Sequence, residues 1–180
     1  MPSFSAPKIE PLAGHHDRAG FRCGEPALDD YLRRQASQDV KRKIARIFVA
    51  VGADDREVVG YYSLSAASFL KSELPPSLAK RLPRYPVPAA ILGRLAVSEH
   101  HQGQRIGKFL LFDALNRVIR ASAQMAVHAV IVDAKNDAAR AFYARYGFQP
   151  FIEQPTRLFL PMSTLAQGAT PQDLRIHIKQ

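Results

Sequence analysis

The sequence predicts an α/β fold, with a mixed, mostly antiparallel central sheet of about six to seven strands flanked by helices. Three observations predict it. First, Ile47–Val51 and Val58–Leu64 are rich in β-branched and aromatic residues and are separated by Gly52-Ala53-Asp54-Asp55, the pattern of a local hairpin. Second, a strand from about Ala90 to Val97 runs into a glycine-bearing loop and then into Ile106–Ala121, whose Leu110, Leu111, Ala114, Leu115 and Val118 share one face at helical spacing. Third, strand, helix and strand come again as Val127–Val132, Asp137–Tyr146, and the closing pieces Phe148–Phe151 and Leu158–Leu160.

An extended start covers Lys8 to Leu12. The Gly24-Glu25-Pro26 turn then opens a helix with Leu28, Tyr31, Leu32, Gln35 and Ala36 on one face, which ends in the basic run Lys41-Arg42-Lys43. Residues 71–88 carry prolines at 75, 76, 83, 86 and 88 together with Lys71, Lys80, Arg81 and Arg84, so they form a stiff basic loop with room for only a short helical turn. No repeat or linker divides the chain, so one domain over residues 1–165 is expected, with a loose tail over 166–180.

Composition narrows the function. An apolar content of 47% supports one sizeable core and argues against disorder. There is no signal-peptide pattern, and the longest apolar runs, near Val58–Leu70 and Ala121–Val132, are too short to span a bilayer, so a soluble cytoplasmic protein without membrane partners is expected. Cys23 is the single cysteine, which rules out an intrachain disulfide and a cysteine-held metal; no metal is expected, and Cys23 reads as a packing residue. The net charge of +9 points to an acidic partner, nucleic acid foremost, with an acidic protein, anionic substrates or plain solubility left open.

The loop Gln102-Gly103-Gln104-Arg105-Ile106-Gly107 lies where a strand meets a helix. The first N–H groups of a helix lack intrahelical acceptors and sit at the positive end of its dipole, so such a junction attracts phosphate oxygens. Gly103 and Gly107 allow close approach, Gln102 can donate a side-chain hydrogen bond, and Arg105 and Lys108 add positive charge. An ordinary turn before a helix would look the same in isolation. No G-x-x-x-x-G-K-[ST] sequence and no G-x-G-x-x-G after an N-terminal strand is present, so NTPase and nicotinamide chemistry lose support.

Leu92-Gly93-Arg94-Leu95-Ala96-Val97, the Gln102–Gly107 loop, Asn136, and Ala141-Phe142-Tyr143-Ala144-Arg145-Tyr146-Gly147-Phe148 together resemble the GNAT acetyltransferase superfamily. Cys23-Gly24-Glu25-Pro26-Ala27-Leu28 before a basic helix, and Gly60-Tyr61-Tyr62-Ser63-Leu64, extend the resemblance to the TacT-type toxins of type II toxin–antitoxin modules, over most of residues 8–165. The resemblance implies a single-domain GNAT fold with acetyl-CoA as cosubstrate. It places Leu95, Ala96 and Val97 along the pantetheine arm, residues Gln102 to Lys108 at the pyrophosphate, Asn136 in the cofactor set, and Tyr143 as the general acid for the departing thiolate. The family loop, Q/R-x-x-G-x-G/A, is matched by Gln102 and Gly107, but Arg105 stands where its middle glycine is expected. Because an arginine at positive φ is strained, a negative φ is expected at Arg105, with its guanidinium available to a CoA phosphate.

For TacT-type members the resemblance further implies that the acceptor is the α-amine of aminoacyl-tRNA, whose acetylation blocks translation, and that a homodimer is held inactive by a small ribbon-helix-helix antitoxin. An α-amine has a reference pKa near 7.7–8.0 and is already partly neutral at pH 7, so it needs no dedicated base; Glu99, His100 and His101 read as solvated loop residues. A phenol, with a reference pKa of about 10, can pass a proton to a thiolate, although aromatic residues at helical spacing more often pack. Arg33, Arg34, Lys41, Arg42, Lys43 and Arg46, with Lys80, Arg81 and Arg84, are the candidates for tracking tRNA phosphates, and Arg94 for the terminal nucleotide. The plain alternatives are a solvated face for the charge runs and an ion pair for Arg94. Acetylation of another amine, or nucleic-acid binding without turnover, remain the competing functions.

Overall fold

Antiparallel pairing builds most of the sheet, but only two of the pairs are hairpins closed by short turns. The computed structural model describes residues 6–166, so the expected tail after Ala166 lies outside the described residues. Seven strands, β1 (Lys8–Pro11), β2 (Arg46–Val51), β3 (Val58–Phe69), β4 (Val87–Val97), β5 (Ala129–Asp133), β6 (Gln149–Pro150) and β7 (Arg157–Pro161), form one sheet in the order β1-β2-β3-β4-β5-β7-β6. The pairs β1–β2, β2–β3, β5–β7 and β6–β7 are antiparallel, whereas β4–β5 is parallel. A parallel pair cannot be closed by a tight turn, and the long helix α4 (Ile106–Ser122) lies in the connection between β4 and β5. The expected mixed, mostly antiparallel α/β sheet is therefore found.

The described residues fall into two compact units, one built from residues up to Ser65 together with Arg94–Ala114, the other from Ala66–Gly93 together with residues from Leu115 onward. In the first unit, Phe21, Tyr31, Leu32, Ile47, Val49 and Tyr61 are buried in one cluster. Cys23 is buried in the same cluster, as a packing residue should be.

The first helix departs from its expected form. It is α1 (Pro26–Asp30), a π-helical turn over Tyr31–Gln35, and α2 (Ala36–Lys41), and the wide turn is closed by the Ala36 N–H on the Tyr31 carbonyl. A π turn absorbs one extra residue and rotates the next stretch of helix about its axis. Tyr31, Leu32 and Ala36 are buried as expected, but Gln35, assigned to the same face by 3.6-residue spacing, is exposed.

In the second unit Phe69, Leu74, Val87, Ile131, Phe151 and Phe159 form the core. The proline-rich segment carries a 3-10 turn at Lys71–Glu73 and the one-turn helix α3 (Pro76–Ala79), in keeping with its five prolines. Helices α5 (Asp137–Arg145) and α6 (Met162–Ala166) complete the unit. Among the described residues no helix is long and apolar enough to cross a membrane.

Candidate active site

After β4 the chain makes a 3-10 turn at Glu99–His101 and reaches α4 through Gln102 to Arg105. Gly103 has φ 78° and Arg105 φ 62°, with Gln104 between them outside the positive-φ set. Residues of alternating hand turn successive N–H groups toward a common point, which makes a nest for an anion. Among the described residues no protein acceptor takes the backbone N–H of Gly103, Gln104, Arg105, Ile106 or Gly107, and the Phe109 N–H donates to the Arg105 carbonyl at 3.2 Å where α4 begins. Among the described residues these N–H groups stand without a protein acceptor at the positive end of a 17-residue helix, a geometry that suits an anion.

This corrects the expectation of a negative φ at Arg105. The nest requires the left-handed conformation at that position, and an L-residue can enter it at a cost of about 1–2 kcal/mol. Glycine is the residue that would take this conformation freely, which is why the family motif has it there. The Arg105 side chain is exposed.

Gln102 also differs from expectation. Its Nε2 donates to the carbonyls of Cys23 and Val97, both at 3.1 Å, so the side-chain amide braces the loop and is not aimed at a ligand. Gln104 Nε2 donates to the His100 carbonyl at 3.3 Å. Glu99 and His100 are exposed, as loop residues should be, while His101 is half-buried with Nδ1 enclosed and unpartnered among the described residues. Ile106 is buried, and the Lys108 ammonium lies 5.4 Å over the Phe112 ring.

The strand expected along the cofactor, Leu95 to Val97, belongs to the first unit and takes no part in the β4–β5 ladder, which covers Ala89 to Leu92. Gly60 on β3 permits the close packing behind it. A Cβ there would stand 3.0 Å from Leu110 Cδ1, 3.1 Å from the Ala96 carbonyl oxygen and 3.3 Å from Ile106 Cγ2.

Arg94 has a partner that the sequence did not suggest. Its guanidinium stacks 3.5 Å above the centre of the Tyr31 ring, and among the described residues it makes no ion pair or hydrogen bond. The expected alternative, a structural ion pair, is therefore not what holds it. Tyr31 is fixed from two sides: its hydroxyl donates to Asp39 Oδ2 at 2.8 Å, and its ring stacks on Tyr61, whose hydroxyl donates to the Leu28 carbonyl at 2.8 Å. Burial first, then the hydrogen bond to the Asp39 carboxylate, pushes the Tyr31 phenol up to about 12, with the Arg94 charge opposing them. Periodicity marks both tyrosines only as core and does not show that Arg94 lies on one of them.

Of the basic candidates in the first unit, Arg34, Lys41, Arg42, Lys43 and Arg46 are exposed and have no carboxylate partner among the described residues. Arg33 is tied down by the Asp29 carbonyl at 3.2 Å and Asp30 at 3.4 Å, so it is the least available of the group. Lys80, Arg81 and Arg84, in the second unit, are likewise exposed and unpaired among the described residues.

Tyr143 lies on α5, whose first turn is capped by Asn136: its Oδ1 accepts the Ala139 N–H at 2.8 Å. Asn136, expected in the cofactor set, thus holds the helix that carries Tyr143. The Tyr143 ring is 7% exposed and meets Phe142 and Phe148 edge-on, with centroids 5.2 and 5.5 Å apart. Burial pushes its phenol above the usual value of about 10, and among the described residues the hydroxyl has no hydrogen-bond partner. The packing role and a free proton donor coexist in one side chain.

One cluster with metal-type spacing was not foreseen: Glu10, His15 and His16. His16 Nδ1 accepts the Ala13 N–H at 2.9 Å, so the ring proton sits on Nε2 and is shared with Glu10 Oε1 at 2.8 Å. With that proton in place Nε2 is not a metal ligand, and the cluster is a hydrogen-bonded strut. The bond from His16, then that from Lys8, lowers the Glu10 carboxyl to about 2.

Comparison with known proteins agrees with this geometry. Residues 15–148 match the family model described as Acetyltransferase (GNAT) family. A "tRNA-acetylating toxin" of Mycobacterium tuberculosis is 36% identical over 162 residues, 90% of this chain and 95% of that protein. A structure of AtaT complexed with acetyl-methionyl-tRNAfMet superimposes with a TM-score of 0.84 at 33% identity, over 91% of this chain and 99% of the other. A mutant AtaT toxin bound to the C-terminus of the antitoxin AtaR and acetyl-CoA gives a TM-score of 0.78 at 30% identity, over 93% and 100% of the two chains. A nest at the strand–helix junction and a match over most of the length lead to one conclusion: the chain belongs to the GNAT acetyltransferase family.

Proposed function

We propose that this protein moves the acetyl group of acetyl-CoA to the α-amino group of aminoacyl-tRNA, and so blocks translation as the toxin of a toxin–antitoxin pair. The observation that carries the reading is the row of backbone N–H groups from Gly103 to Gly107 without an acceptor among the described residues, which suits a pyrophosphate. Its likeness to a tRNA-acetylating toxin supports the choice of acceptor.

The neutral amine attacks the thioester carbonyl carbon, a C–N bond forms, and the resulting tetrahedral oxyanion collapses with loss of the C–S bond. The amine proton leaves to water. Tyr143 gives its phenolic proton to the departing thiolate sulfur and regains one from solvent; its raised pKa keeps that proton in place at neutral pH. The unpaired fork of Arg94, held flat on Tyr31, is suited to a phosphate of the acceptor's end, and the exposed cations Arg34, Lys41, Arg42, Lys43 and Arg46 to its backbone. Cytoplasmic location, a homodimer and a ribbon-helix-helix antitoxin complete the reading.

The test is direct. Incubation with acetyl-CoA and a charged total tRNA pool should yield N-acetylated amino acids on release, identified by mass. If none forms, the acceptor assignment fails.

A further inference from the structure

From Leu74 to Ser98 the chain has no acidic residue, and Lys80, Arg81 and Arg84 in this stretch have no carboxylate partner among the described residues. Beside them Tyr85 is 70% exposed and makes no hydrogen bond or ring contact among the described residues. A bare aromatic ring in water forgoes the burial that usually places such residues.

The backbone explains why this ring does not fold back. On one side Leu82 packs on the core of Phe69, Leu74 and Val87, its N–H reaches the Ala79 carbonyl at 3.1 Å, and its own carbonyl accepts from Lys71 Nζ at 3.4 Å. On the other side Val87 is 2% exposed and opens β4. Only Pro83-Arg84-Tyr85-Pro86 bridges the two anchors, and both end residues of that bridge have φ fixed by their rings. Tyr85 is thus presented outward on a short, stiff span among unneutralised cations. Such a ring suits a flat partner carrying negative charge on either side, which is the chemistry of an unpaired nucleotide: the base supplies a π-face and its phosphates meet the cations. An all-cationic surround favours a polyanion over an apolar protein patch.

We propose that Tyr85, with Arg84 beside it, stacks on an unpaired base of the RNA acceptor and positions it; this rests on the aminoacyl-tRNA reading above. The full-length protein is assayed with acetyl-CoA and charged tRNA. In Tyr85→Ala the KM for charged tRNA should rise about five-fold or more, the scale of one lost base–aromatic stack, with the KM for acetyl-CoA and Tm unchanged. Tyr85→Phe should keep wild-type KM, whereas Tyr85→Leu, which keeps apolar bulk without a π-face, should behave like Tyr85→Ala. The chain has no tryptophan, so Tyr85→Trp adds a single indole that can be excited apart from the tyrosines, and uncharged tRNA should quench it. A KM within two-fold of wild type in Tyr85→Ala, wild-type behaviour of Tyr85→Leu, absence of quenching, or a change of oligomeric state in sedimentation of Tyr85→Ala each overturns the inference. Were the wild type to acetylate no charged tRNA, the acceptor reading would fail instead, and quenching by uncharged tRNA would still decide the stacking role.

Discussion

Tyr143 keeps its ring among Phe142 and Phe148 and leaves its hydroxyl unpartnered among the described residues, so its two ends are separable by mutation. Tyr143→Phe retains the packing and removes the proton. It should lower kcat by about a hundred-fold or more, the range of a general acid, with the KM for acetyl-CoA within about two-fold because the Gly103–Gly107 N–H groups are untouched. Burial raises the phenol's pKa, so the acid form persists well into alkaline pH; kcat should rise as the amine loses its proton and show no alkaline fall up to about pH 9. A fall between pH 7 and 9 would assign the proton to another group. Arg105 is the second residue whose backbone and side chain can be told apart. Arg105→Gly should raise Tm slightly, since the left-handed φ of 62° becomes free of strain. Arg105→Ala keeps the strain and loses only the charge; a weaker acetyl-CoA affinity in both variants assigns the guanidinium to a CoA phosphate, and unchanged affinity in both leaves the nest alone as the contact.

At the scale of elements, β3, β4 and the first turn of α4 meet at Gly60, where an added Cβ would sit 3.1 Å from the Ala96 carbonyl oxygen, a backbone atom that cannot swing aside. Gly60→Ala should therefore destabilise by about 1–3 kcal/mol, seen as a Tm several degrees lower. It should also weaken acetyl-CoA binding, because the turn that must shift carries the nest; intact affinity with lowered Tm would uncouple the two. Much of this arrangement is legible in the sequence. Strand, glycine loop and helix are visible from Ala90 to Ala121, since both the period of apolar residues and the loop glycines are local properties. The π turn is not: Gln35 satisfies helical spacing with Leu28, Leu32 and Ala36, and nothing local reveals the extra residue that turns it outward. Gln102 is similar, because its two carbonyl partners include one on Cys23, far away in the chain.

For the whole molecule, a net charge of +9 and two sets of unpaired cations predict binding dominated by phosphate contacts. The apparent affinity for tRNA should fall about ten-fold or more between roughly 50 and 200 mM monovalent salt, measured by filter binding or as KM, whereas affinity for acetyl-CoA falls less; a flat tRNA response would remove the phosphate-tracking surface. By itself the sequence determined the order of most strands and helices along the chain, the glycine loop between strand and helix, the tyrosine-bearing helix and the excess of positive charge, because periodicity, glycine placement and charge are written residue by residue. Tertiary structure alone decided which cations are free, that Arg94 lies on Tyr31, that Gln102 braces its own loop, and that Arg105 takes the left-handed conformation. Each of these depends on partners from distant segments or on the closure of a nest, and neither is a property of the residue that shows it.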